Sequence, residues 1–528
     1  MRNATNDEPG RVLYAVALCF AAALGVGVAT RQVIWLAGVV PDDAFYYLQI
    51  ARNIARTGFS SFDGVHATNG YHPAWMGALA LCALIFRDPD TLLRVCLLTA
   101  FSFHLLSSWA LLGAFKHWMS APAARLGATL WLLNPLPISL AVQGMEASIY
   151  VCALAFALRL YAARIHPALS QGESPRYGDL ALFGGGLSLC FYGRTEAVII
   201  AAFAMAAIGL ALLQRPSALL RMFTLGGSFA TGIAPWFVYT YLSTGSLVQG
   251  SGAMKMLWAR EAGSAGTLHK VIVATHYVFG QWLSFPLEDV VAGNAAPGAL
   301  RGAIAFAGCV MLVCALRRAA THAETRAYAL VAGCLLLATF VSGSVYGFLF
   351  ADSQYWYKAQ PGFVLFVVSY GSLVATLSRR STLPAALNQL TWAASTLLAL
   401  VSLARVATLS SYPWQRDVLV SQRRFDALVP AGQNIGCFNA GIPGFFSDHT
   451  IVNLDGLVNN SVLPYYQQHR LDAYIRDAKI TFIADEAWSL ERGLKFAEHR
   501  LQLRELDRQA LTGSAIPERL LWQVLPNE

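Results

Sequence analysis

Two adjacent carboxylates, Asp42 and Asp43, stand where an apolar run gives way to a helical repeat, and no other pair in the chain is so placed for acid–base work. A carboxylate held beside a bilayer can take the proton of an incoming hydroxyl. The same pair also reads as a helix start, where Asp accepts backbone N–H groups and complements the macrodipole for about 1 kcal/mol. Downstream, Ser61-Phe62-Asp63-Gly64 and Thr68-Asn69-Gly70-Tyr71-His72-Pro73-Ala74-Trp75 crowd turn formers and polar groups against the next apolar run. Packing alone explains such a loop poorly, and loops on a rigid scaffold are where function concentrates.

The elements that must position these residues are membrane helices. Of 528 residues, 56% are hydrophobic and 13% charged, about half the ~25% charged share of a soluble domain, which excludes an ordinary cytosolic enzyme. Apolar runs recur from Val12 to Ala404 at lengths suited to a ~30 Å hydrocarbon core. Twelve candidate segments fall at about 11–30, 73–86, 93–115, 126–144, 146–163, 180–193, 196–213, 222–243, 300–316, 327–350, 361–378 and 385–405. The first is expected to be a retained span, since no small-residue cleavage site closes it. The net charge of +8 sits largely in short loops, as at Arg215, Arg221, Arg317, Arg318, Arg379 and Arg380, so it reports orientation and no nucleic-acid partner. With those loops cytoplasmic, the loops 31–72 and 244–298 and the tail face the periplasm. That needs an odd count, and eleven crossings are expected, within a range of 11–13, with 73–86 too short to span.

The expected fold is an α-helical polytopic bundle over residues 1–406 followed by a small α/β domain at 407–528. The tail shows β-like runs at 434–438, 450–454 and 480–484 and polar helical stretches such as Tyr465 to Ala478. Eight of the nine cysteines lie in apolar segments and only Cys437 in the tail, so no disulfide staples that domain to itself. Over Pro41 to Gly58, Ala44, Tyr47, Leu48, Ala51, Ile54 and Ala55 fall at helical spacing, which predicts an amphipathic helix lying on the membrane surface and ending at Gly58. His104, midway along an apolar run, reads as a satisfied core histidine. No His/Cys cluster has zinc spacing, and no Walker-type loop or soluble dinucleotide fold appears, which argues against direct use of a nucleotide sugar.

Several stretches together resemble the GT-C superfamily of integral-membrane glycosyltransferases. They are Pro41-Asp42-Asp43-Ala44-Phe45-Tyr46, Thr68-Asn69-Gly70-Tyr71-His72-Pro73 before Trp75, Gly144-Met145-Glu146-Ala147-Ser148, Gly193-Arg194-Thr195-Glu196-Ala197, Ser251-Gly252-Ala253-Met254-Lys255 and Val452-Asn453-Leu454-Asp455-Gly456-Leu457-Val458-Asn459. The likeness runs in order along nearly the whole chain, and the first loop is its specific part. It implies an inverting transferase of a bacterial inner membrane that takes a sugar from a polyprenyl-phosphate donor and passes it to a glycan, lipid or protein acceptor. By likeness to the Asp-Glu pair of lipid A aminoarabinose transferases, it implies Asp42 as general base with Asp43 in support.

The same resemblance implies roles for the scarce charges. His72 stands where those transferases carry a lysine, so it is expected at the donor phosphate with Tyr46 nearby. A neutral imidazole is a weaker phosphate partner than lysine, which shifts load to Lys255 and Lys358; both also read as lysines snorkelling beside an aromatic belt. Glu146, Arg194 and Glu196 either orient the acid and bind the donor sugar or sit at the water interface; on one helix, residues two apart would not face each other. Asn453, Asp455 and Asn459 would touch the acceptor, although turn chemistry explains them as well. No cofactor is assigned, and a divalent cation at Asp42 and Asp43 is permitted without being required. An O-antigen ligase or polymerase, or a transporter or flippase, are the competing readings. The first would carry its key basic residues in a late loop, the second its charges along a midplane path.

Overall fold

Local signals fix the helix that carries the acidic pair. Pro41 is extended at φ −65° and ψ 152°, and the helix Asp42–Thr57 begins directly after it. Gly58 ends it in the left-handed region at φ 72°, its N–H on the Ile54 carbonyl. Asp42 and Asp43 thus occupy the first turn, at the positive end of the dipole.

A computed structural model describes residues 8–261, 323–350, 354–377, 385–513 and 518–526, with isolated positions between 267 and 317. Among these, four helices are long and apolar enough to cross a membrane: Glu8–Ala29, Pro89–Phe115, Ala147–Ser170 and Leu330–Phe350. Shorter apolar helices are Pro73–Ile85, Ala197–Leu212 and Trp392–Thr408. The chain is a multi-pass membrane protein. The 13 residues of Pro73–Ile85 rise about 20 Å, short of a ~30 Å core as expected. The segment expected at 126–144 is two helices, Ala121–Leu132 and Pro135–Val142. Pro135 has no N–H to continue the first, and the Asn134 side chain caps the second by accepting the Leu136 N–H at 2.9 Å. Most of the expected segment 300–316 and of the loop 244–298, and Arg318, Arg379 and Arg380, lie outside the described residues. His104 is satisfied inside the bundle by the Leu132 carbonyl, 3.0 Å away.

The tail folds around a five-stranded sheet of order β2-β1-β3-β5-β4. β1 (Asn434–Cys437) pairs in parallel with β2 (Thr450–Asn453) and β3 (Ile480–Glu486). β5 (Glu518–Val524) runs antiparallel to β3 and to β4 (Leu503–Ala510). The polar stretch Tyr465 to Ala478 is two short helices, Leu463–Gln467 and Leu471–Asp477, separated where His469 takes φ 53°.

The Asp42–Thr57 helix does not lie free on a surface. Ala44, Phe45, Tyr46, Tyr47, Leu48, Ile50 and Ala51 are all buried, a band too wide for one apolar face. The tail domain covers the second face: Phe45 packs at 5.8 Å and 5.7 Å between ring centroids against Phe445 and Phe446. Arg52 donates to the Phe445 carbonyl at 2.8 Å. The helix is a wedge between bundle and tail domain, so its first turn is framed on both sides.

Candidate functional site

The two carboxylates have separate surroundings. Asp42 is half-buried against the short helix Gly441–Phe446, where the Gly441 N–H donates to Oδ2 and the Ile442 N–H to Oδ1, each at 2.8 Å. Gly441 is needed for that approach, since a Cβ there would sit 2.1 Å from the Asp42 carbonyl oxygen. Burial raises the Asp42 carboxyl to about 7, against the pull of the two amides and with added repulsion from Asp43 and Glu486. Asp43, one residue on, lines two cavities, and Tyr46 and Leu457 line both with it.

The cavity toward the bundle, about 60 Å³, is walled by Asp43, His72, Glu146, Ser251, Lys255 and Tyr357 among others. Three stretches distant in sequence build it, and Asn69 ties them. Its buried side chain accepts the Gly250 N–H at 2.8 Å and the Asn460 amide at 2.8 Å, and donates to the Val248 carbonyl at 3.3 Å. Gly70 lets the chains touch, since a Cβ there would meet the Leu457 carbonyl oxygen at 1.9 Å. His72 accepts the Thr195 N–H at Nδ1, 3.4 Å away, and its Nε2 is 3.8 Å from Glu146. Burial holds this imidazole below its ordinary value, so it is neutral at pH 7 with its proton on Nε2. Lys255 is hydrogen-bonded to the Tyr357 hydroxyl and lies 5.1 Å over that ring. Lys358 instead lies 4.8 Å over the Tyr355 ring and is not part of the cavity wall.

Behind this cavity Arg194 pairs with both Glu146 and Glu196. Arg194 is extended, at φ −154° and ψ 130°, between two helices, so the rule for residues two apart on one helix does not apply. Tyr346 completes the cluster, its hydroxyl 3.0 Å from Arg194 and 2.7 Å from Glu196. Tyr346 stacks on Tyr357 at 4.7 Å, and the Arg194 guanidinium lies over the same Tyr357 ring at 4.7 Å. Both tyrosines escaped the sequence reading; the aromatic run Tyr355-Trp356-Tyr357 beside Lys358 was the available signal.

The cavity toward the tail domain, about 170 Å³, includes Asp43, Trp258, Asn439, Asp455, Trp488 and Arg492 in its wall. The Tyr46 hydroxyl accepts the Ala440 N–H at 3.2 Å and lies 3.1 Å from the Phe438 carbonyl and 3.3 Å from Asp455 Oδ2, either of which takes its proton. Burial raises Asp455 to about 7. Asn453 and Asn459 are spent inside the loop. Asn453 Oδ1 accepts the Gly456 N–H at 3.0 Å, and Asn459 Nδ2 donates to the Asn453 carbonyl at 2.8 Å and to the Tyr474 hydroxyl at 2.6 Å. Of the three expected acceptor residues, Asp455 is in the wall of this cavity and Asn453 and Asn459 are not.

Each oxygen of Asp42 accepts one backbone N–H, which leaves a second lone pair on each. Among the described residues no three His, Cys, Asp or Glu side chains converge as metal ligands. A further cavity, about 340 Å³, lies elsewhere, and residues such as Leu154, Phe183, Ile208 and Leu335 wall it.

No curated protein matches the sequence. Residues 414–514 match a family described as Domain of unknown function (DUF8728). Two solved structures share the architecture along almost all of the chain. The oligosaccharyltransferase of Archaeoglobus fulgidus in its apo form is 13% identical, covering 96% of this chain and 75% of its own, at a TM-score of 0.50. ArnT from Cupriavidus metallidurans bound to undecaprenyl phosphate is 12% identical, covering 95% of this chain and 97% of its own, at 0.51. The chain has the GT-C fold. In this GT-C bundle the wedge helix, the Asn69 junction and the tail domain converge on Asp43.

Proposed function

We propose that the protein is an inverting glycosyltransferase that moves a sugar from a polyprenyl-phosphate carrier to an acceptor hydroxyl at the periplasmic face of a bacterial inner membrane. The observation that carries this reading is the placement of Asp43, alone of the pair, in the wall that two cavities share. Asp43 is the general base. Asp42, named first by the resemblance, has both oxygens committed to the amides of Gly441 and Ile442 and holds the tail domain on the wedge helix. An acceptor oxygen entering from the tail-domain side gives its proton to Asp43 and bonds to the anomeric carbon. The bond from that carbon to the phosphate oxygen breaks, and the lipid phosphate leaves toward the bundle.

The leaving phosphate gains negative charge, which preorganised cations and donors stabilise. Lys255 and the Nε2–H of His72 supply these. The Arg194–Glu146–Glu196 cluster keeps the wall behind them fixed. The apolar cavity in the bundle offers hydrocarbon surroundings to a lipid-tailed donor. ArnT was captured with undecaprenyl phosphate, and this donor class fits the same fold here.

The test is to incubate the purified full-length protein with synthetic polyprenyl-phosphate sugars and follow release of the lipid phosphate. Release by the parent and its loss in D43N is the expected result. Absence of release with every donor, together with substrate-dependent flux in liposomes, would favour a transporter.

A further inference from the structure

Trp258 and Trp488 reach the tail-domain cavity from two separate elements, the helix Gly250–Glu261 of the second outer loop and the helix Ala487–Leu494 of the tail. The Arg492 guanidinium lies between their rings, 4.9 Å from the Trp258 centroid and 5.4 Å from that of Trp488. Rings rather than a carboxylate hold it, and no ion pair to Arg492 forms among the described residues. Deeper in, Tyr466 and Phe496 pack at 4.8 Å, and Asn439, Ser489 and Asp455 supply polar atoms. The Asn439 amide nitrogen is turned away toward Glu486 at 2.7 Å and Ser489 at 3.2 Å.

Each of these features suits one kind of molecule. A sugar presents polarised C–H groups on a ring face and hydroxyls around its rim. Aromatic faces carry the partial negative charge that the first prefers, and guanidinium, amide and carboxyl groups offer planar donors and acceptors to the second. A peptide added as a strand would need a sheet edge, and no residue of β1 to β5 borders this cavity. An acyl chain would lie against the Arg492 guanidinium and offer its N–H groups no acceptor, which is costly. The volume of about 170 Å³ corresponds to on the order of ten water-sized groups, the scale of one sugar ring. Asp43 and Tyr46 close its inner end.

We infer that this cavity is the acceptor subsite and that its ligand is a carbohydrate, so the hydroxyl offered to Asp43 belongs to a sugar of a glycan. The inference rests on the transferase reading above and adds the class of acceptor to it. Trp488 and Arg492 are the residues that hold the ring.

The experiment uses the full-length protein in nanodiscs, carrying Asp43→Asn to prevent turnover. It is titrated with a panel of neutral and acidic di-, tri- and tetrasaccharides, followed by tryptophan fluorescence and saturation-transfer NMR. A peptide of similar mass serves as competitor. At least one saccharide is expected to bind and change the fluorescence, and the peptide not to displace it. Trp488 is 50% exposed, so Trp488→Ala should keep the parent's thermal midpoint while weakening saccharide binding roughly tenfold or more. Trp488→Phe should recover part of that loss, and Arg492→Gln should weaken binding independently. Absence of binding by every saccharide, displacement by the peptide, or affinity unmoved by both Trp488→Ala and Arg492→Gln would each overturn the inference. Binding here needs no donor. Saccharide binding by a chain that cleaves no polyprenyl-phosphate sugar would defeat the transferase reading and leave a carbohydrate site. Donor cleavage without saccharide binding would do the reverse.

Discussion

The two cavities that meet at Asp43 are walled by different chemistry. Toward the bundle the groups are Lys255, a neutral His72 and, behind them, the Arg194–Glu146–Glu196 cluster, tied together through Asn69. Toward the tail domain they are indole and phenyl rings with a sandwiched guanidinium. A cavity of the first kind suits an anion that gains charge, and one of the second suits a neutral, hydroxyl-rich ligand. A single carboxylate between them is the arrangement a proton-abstracting transfer requires, since the base must touch the incoming hydroxyl while the departing charge is met elsewhere.

The sharpest way to break that comparison is to exchange the roles of the two acids. Asp43→Asn should lower kcat for transfer about 10²–10⁴-fold with the thermal midpoint nearly unchanged. Asp42→Asn should act first on stability, because one of two buried N–H donors then faces an amide NH₂, at a cost of about 1–3 kcal/mol. Kinetics with differential scanning fluorimetry on both variants decides it. A large kcat loss confined to Asp42→Asn would return the base to Asp42.

Gly441→Ala tests the same junction from the other side. Its Cβ would meet the Asp42 carbonyl oxygen at 2.1 Å, so the short helix must move and give up both amide bonds. The expected cost is about 3 kcal/mol, read as a fall in the unfolding midpoint and faster proteolysis between 407 and 440. An alanine variant as stable as the parent would mean that the tail domain is held elsewhere.

A smaller effect separates the two lysines. Lys255→Met keeps the aliphatic stem and removes the charge from the bundle-side cavity, so kcat/KM for the donor should fall about 10- to 100-fold. Lys358→Met, outside that wall, should leave it nearly unchanged. Equal losses would mean that both lysines act by snorkelling at the interface.

The sequence revealed some of this and hid the rest for identifiable reasons. The wedge helix was legible almost to the residue because Pro41 and Gly58 punctuate it, and β2 and β3 because they are short runs rich in β-branched residues between turn formers. β4 was not: Leu503–Ala510 reads LRELDRQA, a half-exposed edge strand without an apolar face. The break at Asn134-Pro135 hid inside a hydropathy run, since hydropathy does not register a missing N–H. The choice between Asp42 and Asp43 was unreadable in principle. Neighbours on one helical turn point about 100° apart, and which direction becomes a cavity depends on where Gly441, some 400 residues later, docks. Arg194 and Glu196 pair for a related reason that spacing does not show, since the chain at Arg194 is extended and not helical.

The smallest predicted effect is a pH slope that distinguishes the two sides of the junction. Burial lifts Asp42 and Asp455 from 3.8 to about 7. A carboxyl raised on folding contributes stability that is complete below about 3.8, declines as pH rises toward 7, and is flat beyond it. The thermal midpoint of the parent should therefore rise on acidification from pH 7.5 to 5.5. Asp455→Asn holds one of the two sites neutral at every pH and should reduce that rise without abolishing it, because Asp42 still titrates beside Asp43 and Glu486. A parent whose midpoint is level across that window, or an Asp455→Asn slope equal to the parent's, would show that the tail-domain cavity admits enough water to keep Asp455 near its ordinary value. Its inner end would then be an open channel for the acceptor, in contrast to the closed contact that Asp42 makes with Gly441.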